Sequence, residues 1–98
     1  MFLIVDTNVL FSFFHSKSNV KEYFESLREK GVSLLVPQYM FGELLGIKPH
    51  LKDAPLFALS LAFDKAPIWS REPRLKIQKV VEVLHDKEVE KYFGLAEA

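Results

Sequence analysis

The chain has 98 residues, of which 49% are apolar and 27% charged, and its 13 basic side chains balance its 13 acidic ones. This length suits one domain, and the composition excludes a disordered or fibrous chain. Zero net charge gives no bulk attraction to nucleic acid or anionic membranes, and the lack of cysteine excludes disulfides and thiolate chemistry. We predict one domain over residues 1–98, soluble and cytoplasmic, with no membrane segment.

Two short apolar runs in the first half of the chain predict strands that are buried on both faces. These runs are Phe2–Val5 and Val32–Val36. Between them, Asn8–Phe14 is apolar and favours a helix. Val20–Leu27 has apolar side chains at the spacing of one helical face, and Gly31 ends that helix.

The second half of the chain continues the alternation of helices and strands. Gln38–Leu45 favours a helix, and Asp53 opens another that is apolar nearly all round and therefore central. Pro67–Trp69 predicts a third strand and Val80–Leu84 a fourth, after which Asp86 is placed as the cap of a final helix. The residues expected on the buried face of that helix are Val89, Tyr92 and Phe93.

This alternation predicts an α/β fold, in which a parallel sheet is covered by helices on both faces. Right-handed crossovers bring the carboxyl ends of all the strands to one edge of the sheet, which is where ligands bind in such folds. The residues that follow each strand are therefore the candidates for a functional site.

Several acidic residues fall near this predicted edge. Asp6 follows the first strand, Glu43 lies in the helix after the second, Asp53 opens the central helix and Glu72 follows the third strand. Crowded carboxylates need compensation, and Mg²⁺ supplies it because it takes oxygen ligands, activates water and neutralises a phosphodiester. Taken singly, three of these acids are better explained by structural roles: Asp53 suits a helix cap, Glu72 a first turn where the helix dipole favours an acid, and Glu43 a solvated helix. Asp6 is the exception, because an acid directly after a buried strand is a poor place for a residue that only confers solubility.

Four motifs in series resemble those of PIN-domain nucleases over nearly the whole chain. Asp6–Leu10 after a buried strand resembles the first motif, and Leu35–Pro37 followed by Glu43 resembles the second. Asp53–Pro55 is similar to the third motif, and Pro67–Ser70 to the strand that precedes the fourth acid.

The resemblance implies an endoribonuclease that depends on Mg²⁺ or Mn²⁺, with an RNA substrate and, as in many toxins of this family, an antitoxin protein as a possible partner. The catalytic acids that it implies are Asp6, Glu43, Asp53 and Glu72. The first three would hold the metal. The residues that would orient the acids or their waters are Thr7, Asn8 and Ser70.

The sequence departs from the family pattern in two places. Only nine residues separate Glu43 from Asp53, where the family has several tens that include an edge strand. The resemblance then implies a shortened, three-layer PIN-like fold with about four strands in the order 2-1-3-4. The second strand becomes a bare edge, which predicts a homodimer or higher oligomer. In the fourth motif, Arg74 stands where the family more often has an acid.

These departures favour an alternative function, a degenerate, non-catalytic PIN domain that serves as an RNA- or protein-binding or oligomerisation module. A different phosphate-handling α/β fold would need a pair of adjacent acids or an Asp-x-Asp motif, which Asp6-Thr7-Asn8 does not provide. Basic residues after the third strand are candidates for contacts with nucleic-acid phosphates, or for a solvated helix. These residues are Arg71, Arg74 and Lys76.

Overall fold

The computed structural model describes residues 1–13, 20–37 and 54–95 of the chain. Within these ranges, four strands form one all-parallel sheet in the order β2-β1-β3-β4. The strands are β1 (Phe2–Val5), β2 (Ser33–Leu35), β3 (Ile68–Trp69) and β4 (Val83–Leu84). The predicted α/β class and the strand order 2-1-3-4 are therefore confirmed, whereas the helix predicted over Gln38–Leu45 lies outside the described residues.

The helices in the described ranges are α1 (Thr7–Phe13), α2 (Val20–Glu29), α3 (Ala54–Ala62) and α4 (Asp86–Phe93), with a 3₁₀ helix at Pro73–Lys76. Glycine in a left-handed conformation follows two of them. Gly31, with φ 79°, lies just beyond α2, and Gly94, with φ 64°, caps α4 and donates its N–H to carbonyls of the last turn. The helix α2 therefore ends where the sequence predicts.

Successive residues of a strand point to opposite sides of the sheet, and helices cover both sides, so both faces are buried. Leu3, Val5 and Trp69 pack with residues of α1, α2 and α4. Ile4 and Ile68 pack on the other side with residues of α3 and the 3₁₀ helix. The sheet is thus the middle layer of three, and its short strands are continuous apolar runs.

The fourth strand is shorter than predicted. It covers Val83–Leu84, whereas the apolar run predicts a strand from Val80. The side chain of Gln78 explains the difference, because it accepts hydrogen bonds from the N–H groups of Val80 and Val81 and donates to the carbonyl of Val81. These bonds satisfy the backbone locally in place of a ladder, and the side chain of Val80 is exposed.

The start of α4 also differs from the prediction. His85 is the N-cap residue, with its N–H donated to Glu88, and Asp86 is the first residue inside the helix. Val89 and Phe93 are buried as predicted, but Tyr92 is 50% exposed and packs its ring against Phe93. The sheet therefore contacts a narrower stripe of α4 than the apolar pattern suggests.

The connections of the sheet define where a ligand-binding crevice lies. The chain passes from β1 to β2 on one side of β1, and returns through α3 to β3 on its other side. The strand order thus reverses direction between β1 and β3, and parallel α/β sheets bind ligands outside the carboxyl ends of the strands at such a point. None of the described helices is long and apolar enough to cross a membrane.

Candidate functional site

Asp6 lies at the carboxyl end of β1, directly beside the point where the strand order reverses. Its backbone N–H still bonds to the carbonyl of Trp69 in β3, at 2.9 Å. Its Oδ2 accepts a hydrogen bond of 2.6 Å from the hydroxyl of Ser70, and its Oδ1 accepts one of 2.7 Å from the N–H of Thr7. Both of these donors are neutral groups, and together they orient the carboxylate.

A second set of bonds ties the residues after β3 to the start of α1. Ser70 is only 1% exposed, and its hydroxyl accepts the N–H of Glu72 at 3.0 Å while it donates to Asp6. The side-chain oxygen of Asn8 accepts the N–H of Arg71 at 3.2 Å. The predicted supporting residues Asn8 and Ser70 therefore meet at the crevice together with Asp6.

Arg71 joins the site to α4 through Asp86. Its Nε and one terminal nitrogen bond to the two carboxylate oxygens of Asp86 at 3.2 and 2.6 Å, and its other terminal nitrogen bonds to Ser12 in α1. The Nε1 of Trp69 also donates to Asp86, at 3.0 Å. Burial raises the pKa of Asp86, but the hydrogen bonds from Arg71 and Trp69 outweigh it, and the net shift of that pKa is downward.

Glu72 lies two residues beyond Ser70 and caps the 3₁₀ helix. Its Oε1 accepts the backbone N–H of Arg74 at 3.2 Å and the guanidinium Nε of the same residue at 3.1 Å. These two bonds, the backbone one first, lower the pKa of Glu72. Its observed contacts are those of a helix cap paired with an arginine, whereas the structural alternative that the sequence offers is an acid within the first turn.

The last of the three predicted RNA-binding residues, Lys76, pairs with Glu88 of α4. The hydrogen bond from Lys76 and then the N–H of His85 lower the pKa of Glu88. Each of the three predicted RNA-binding cations thus has an acidic partner in the structure. Arg71 is held by Asp86, Arg74 by Glu72 and Lys76 by Glu88.

Trp69 directly precedes Ser70, and its side chain packs between the sheet and α2. It is completely buried, so it is not available to stack on a base. The rings of Tyr23 and Phe24 lie against it, at centroid distances of 6.0 and 5.4 Å. Tyr23 donates its hydroxyl to Glu90 at 2.8 Å, and this hydrogen bond, helped by burial, raises the pKa of Tyr23 to about 12.

The donor set suits a hard divalent cation only in part. Carboxylate oxygen is the ligand that Mg²⁺ and Mn²⁺ prefer, and Asp6 provides it at the crevice. Within residues 1–13, 20–37 and 54–95, no three His, Cys, Asp or Glu side chains gather as a metal site. The other two predicted ligands, Glu43 and Asp53, lie outside the described residues, although α3 begins at the residue that follows Asp53.

Asp86 is the residue at this edge that sequence analysis misses. It lies two residues beyond β4, as Glu72 lies three residues beyond β3, but its position before Val89 and Phe93 favours a capping role. Its actual partners, Arg71 and Trp69, are 15 and 17 residues away in the chain. The sequence signal that could have identified it is that an acid follows both β3 and β4 within three residues.

Comparisons with protein-family models, with curated proteins and with solved structures find no match for this chain. The resemblance to PIN-domain nucleases therefore rests on the four sequence motifs alone, and it stays a prediction.

Proposed function

We propose that this protein is an endoribonuclease that hydrolyses RNA phosphodiester bonds with the help of Mg²⁺ or Mn²⁺. The observation that carries the proposal is the position of Asp6, an oriented carboxylate at the point where the strand order reverses. Its oxygens are held by the Ser70 hydroxyl at 2.6 Å and the Thr7 N–H at 2.7 Å. Parallel α/β folds place reactive groups at this location, and oxygen ligands fixed there suit a divalent cation.

The proposed chemistry assigns different tasks to the residues of the crevice. Asp6 acts as a metal ligand, and Glu43 and Asp53 are the further ligands that the motifs predict. A divalent cation bound there would supply activation of water and neutralisation of charge on the phosphate. Asp6 and the backbone beside it are held in place by Ser70, Thr7 and Asn8. A toxin-type role with an antitoxin partner follows from the same resemblance and belongs to this proposal.

A second function, a non-catalytic module that binds RNA or protein, is favoured by a specific feature. Two of the acids at this edge are already neutralised by neighbouring arginines, since Arg71 holds Asp86 and Arg74 holds Glu72. An acid that is engaged in this way is a poorer metal ligand, because binding a cation would first break its ion pair. The family's nuclease chemistry would then be lost while the crevice remained.

Cleavage of a fluorogenic single-stranded RNA separates these two functions. We expect cleavage with Mn²⁺ and with Mg²⁺, and none with EDTA. Asp6→Asn should abolish it, because the amide keeps the size and the carbonyl oxygen of the side chain but removes the charge that holds the cation. Cleavage that persists at the wild-type rate in Asp6→Asn would point to a contaminating nuclease. A folded wild-type protein that does not cleave would favour the binding module.

The edge of the sheet at β2 provides a surface for self-association. A groove of about 500 Å³ runs between α2 and β2, with Phe24 and Leu34 inside it and charged side chains at its rim. In the described sheet only β1 pairs with β2, and the N–H of Ser33 bonds to Met1 at 2.8 Å. Because the bonds of a parallel ladder alternate along a strand, the backbone groups of Leu34 face away from β1.

We propose a second copy of this chain as the occupant of that surface, in a twofold homodimer. Antiparallel pairing of two β2 strands about Leu34 would extend the sheet across the axis. The rim is self-complementary, since Glu25 and Arg28 of α2 can each meet the opposite charge of the partner subunit. The pairing would satisfy the outward backbone groups and cover the apolar groove together.

The mass in solution tests the dimer directly. We expect light scattering at micromolar concentration to give twice the chain mass of 11.3 kDa. Glu25→Arg should shift the mass towards the monomer, because it places like charges opposite each other twice across the axis. Adding Arg28→Glu should restore the dimer. A wild-type mass of one chain would refute the association. A double variant whose mass is no closer to that of the dimer than the mass of Glu25→Arg would refute this interface.

A further inference from the structure

The edge of the sheet at β4 is closed by a side chain and not by another strand. In the described sheet β4 pairs only with β3. The carbonyls of Glu82 and Leu84 accept N–H groups of β3 and of the residue after it, both at 2.9 Å. Because the backbone groups of a parallel strand alternate in direction, those of Val81 and Val83 face away from β3. A strand that added to this edge would bond to these two residues.

The amide of Gln78 takes the place of such a strand at Val81. Its Oε1 accepts the N–H of Val81 and its Nε2 donates to the carbonyl of Val81, both at 2.9 Å. Two opposed residues of an antiparallel pair exchange the same two bonds through their backbones. The amide also accepts the N–H of Val80 at 3.0 Å and donates to the carbonyl of Leu75 at 2.9 Å. Both of its acceptor sites and both of its donors are thus used, which fixes its position.

The segment beside this amide has the composition of a strand that pairs readily with other chains. Residues 80–84 read Val-Val-Glu-Val-Leu, which combines high strand propensity with a single charge and no proline. The side chains of Ile77 and Val80 are 79% and 63% exposed, so apolar surface lies next to the edge. Yet β4 itself covers only Val83–Leu84, and Val83 is its one residue that faces outward.

We propose that Gln78 is a guard of the β4 edge, a side chain that prevents a second copy of this chain from pairing with residues 81–83. The two bonds that a partner would make to Val81 are already made within the chain, so they contribute nothing to association. The outward groups of Val83 alone offer too few bonds to offset the entropy that two chains lose when they associate.

The guard has a particular consequence for the homodimer proposed at the β2 edge. If two β2 strands pair across a twofold axis, β4 forms both outer ends of the continuous sheet. Unguarded ends would join dimers to one another without closure, and the product would be a fibre. Guarded ends stop the association at two chains. The guard itself requires neither the dimer nor nuclease activity, because its bonds lie within one chain.

The mass of Gln78 variants in solution tests the guard, once circular dichroism has established that each variant is folded. Gln78→Ala removes all the bonds of the amide. We expect light scattering at micromolar concentration to give at least about twice the wild-type mass, rising with concentration. Gln78→Leu removes the same bonds at nearly the same size and should behave alike. Adding Val80→Lys to Gln78→Ala should restore the wild-type mass, because an exposed lysine on an edge opposes pairing.

Gln78→Glu is the matched control for loss of stability without loss of protection. Its carboxylate still accepts the N–H groups of Val80 and Val81, but it loses the two bonds that the amide donates. It also adds a charge to the edge, which opposes pairing. We therefore expect Gln78→Glu to unfold at a lower urea concentration than the wild type and to keep the wild-type mass.

Each outcome of this experiment decides for or against the guard, whatever the result of the cleavage assay. A folded Gln78→Ala or Gln78→Leu chain with the wild-type mass would overturn the proposal, as would an increased mass that Val80→Lys does not reverse. Equal association of Gln78→Glu and Gln78→Ala would attribute the effect to instability alone. Failure of both uncharged variants to fold would also count against the guard, since the amide would then be required by the fold and not by its edge.

Discussion

Trp69→Ala should lower the free energy of unfolding by about 3–5 kcal/mol, the largest effect on stability that we expect from a single substitution. Trp69 is completely buried at the centre of the sheet, and Tyr23 and Phe24 pack their rings against it. The substitution removes this apolar contact area and leaves a cavity. It also deprives Asp86 of the hydrogen bond from Nε1. A domain of this size has only about 5–15 kcal/mol in total.

Urea unfolding followed by circular dichroism measures this loss without depending on tryptophan fluorescence. Trp69→Phe is the matched control, because it keeps an aromatic ring in the core and removes mainly the bond to Asp86. We expect it to be intermediate in stability between wild type and Trp69→Ala. A change of less than about 1 kcal/mol for Trp69→Ala would contradict the packing described here, since surface substitutions have effects of that order.

Mn²⁺ should raise the melting temperature of the wild-type chain, and Asp6→Asn should remove most of this rise. A ligand that binds only the folded state at a hundredfold excess over its Kd adds about 2.7 kcal/mol, which for a domain of this length corresponds to roughly 10–20 °C. Asp6 lies at the crevice, where the N–H of Thr7 and the hydroxyl of Ser70 hold its two carboxylate oxygens. Its charge is therefore the component of the site that the cation requires.

Thermal unfolding with and without EDTA provides the measurement, and Glu22→Gln on the exposed side of α2 provides a control for nonspecific binding to carboxylates. The control should show the full wild-type rise. If Asp6→Asn retained that rise, the cation would bind elsewhere. If the wild type showed no rise, metal binding at this edge would be excluded, and the non-catalytic module would become the better proposal.

The fold was predictable because buried parallel strands leave a strong local signal. The run Phe2–Val5 is the observed β1, and the helix over Val20–Leu27 ends at the predicted glycine. The fourth strand was overestimated, because apolar residues at Val80 and Val81 are bonded to the side chain of Gln78. Periodicity records which residues are apolar, but it does not record whether a nearby side chain competes for their backbone groups.

The candidate site was predictable only for residues that directly follow a strand. Asp6 and Ser70 follow strands that the sequence places side by side, so their meeting follows from topology. The ion pair between Arg71 and Asp86 depends on side-chain directions across two elements, and nothing local predicts it. A structural role for Glu72 was predicted, but as an acid within the first turn; the residue instead precedes that turn, and its side chain accepts the N–H of Arg74.

The hydrogen bond between Asp6 and Ser70 has a consequence for how the protein matures. It joins residues that are 64 positions apart in the chain, and β3 must pair with β1 before it can form. Contacts of such separation are made late, because closing a long loop costs entropy before it brings any gain. A chain emerging from the ribosome would therefore carry the acidic residue of its first motif from the start, but would not have it oriented until most of the domain had been synthesised.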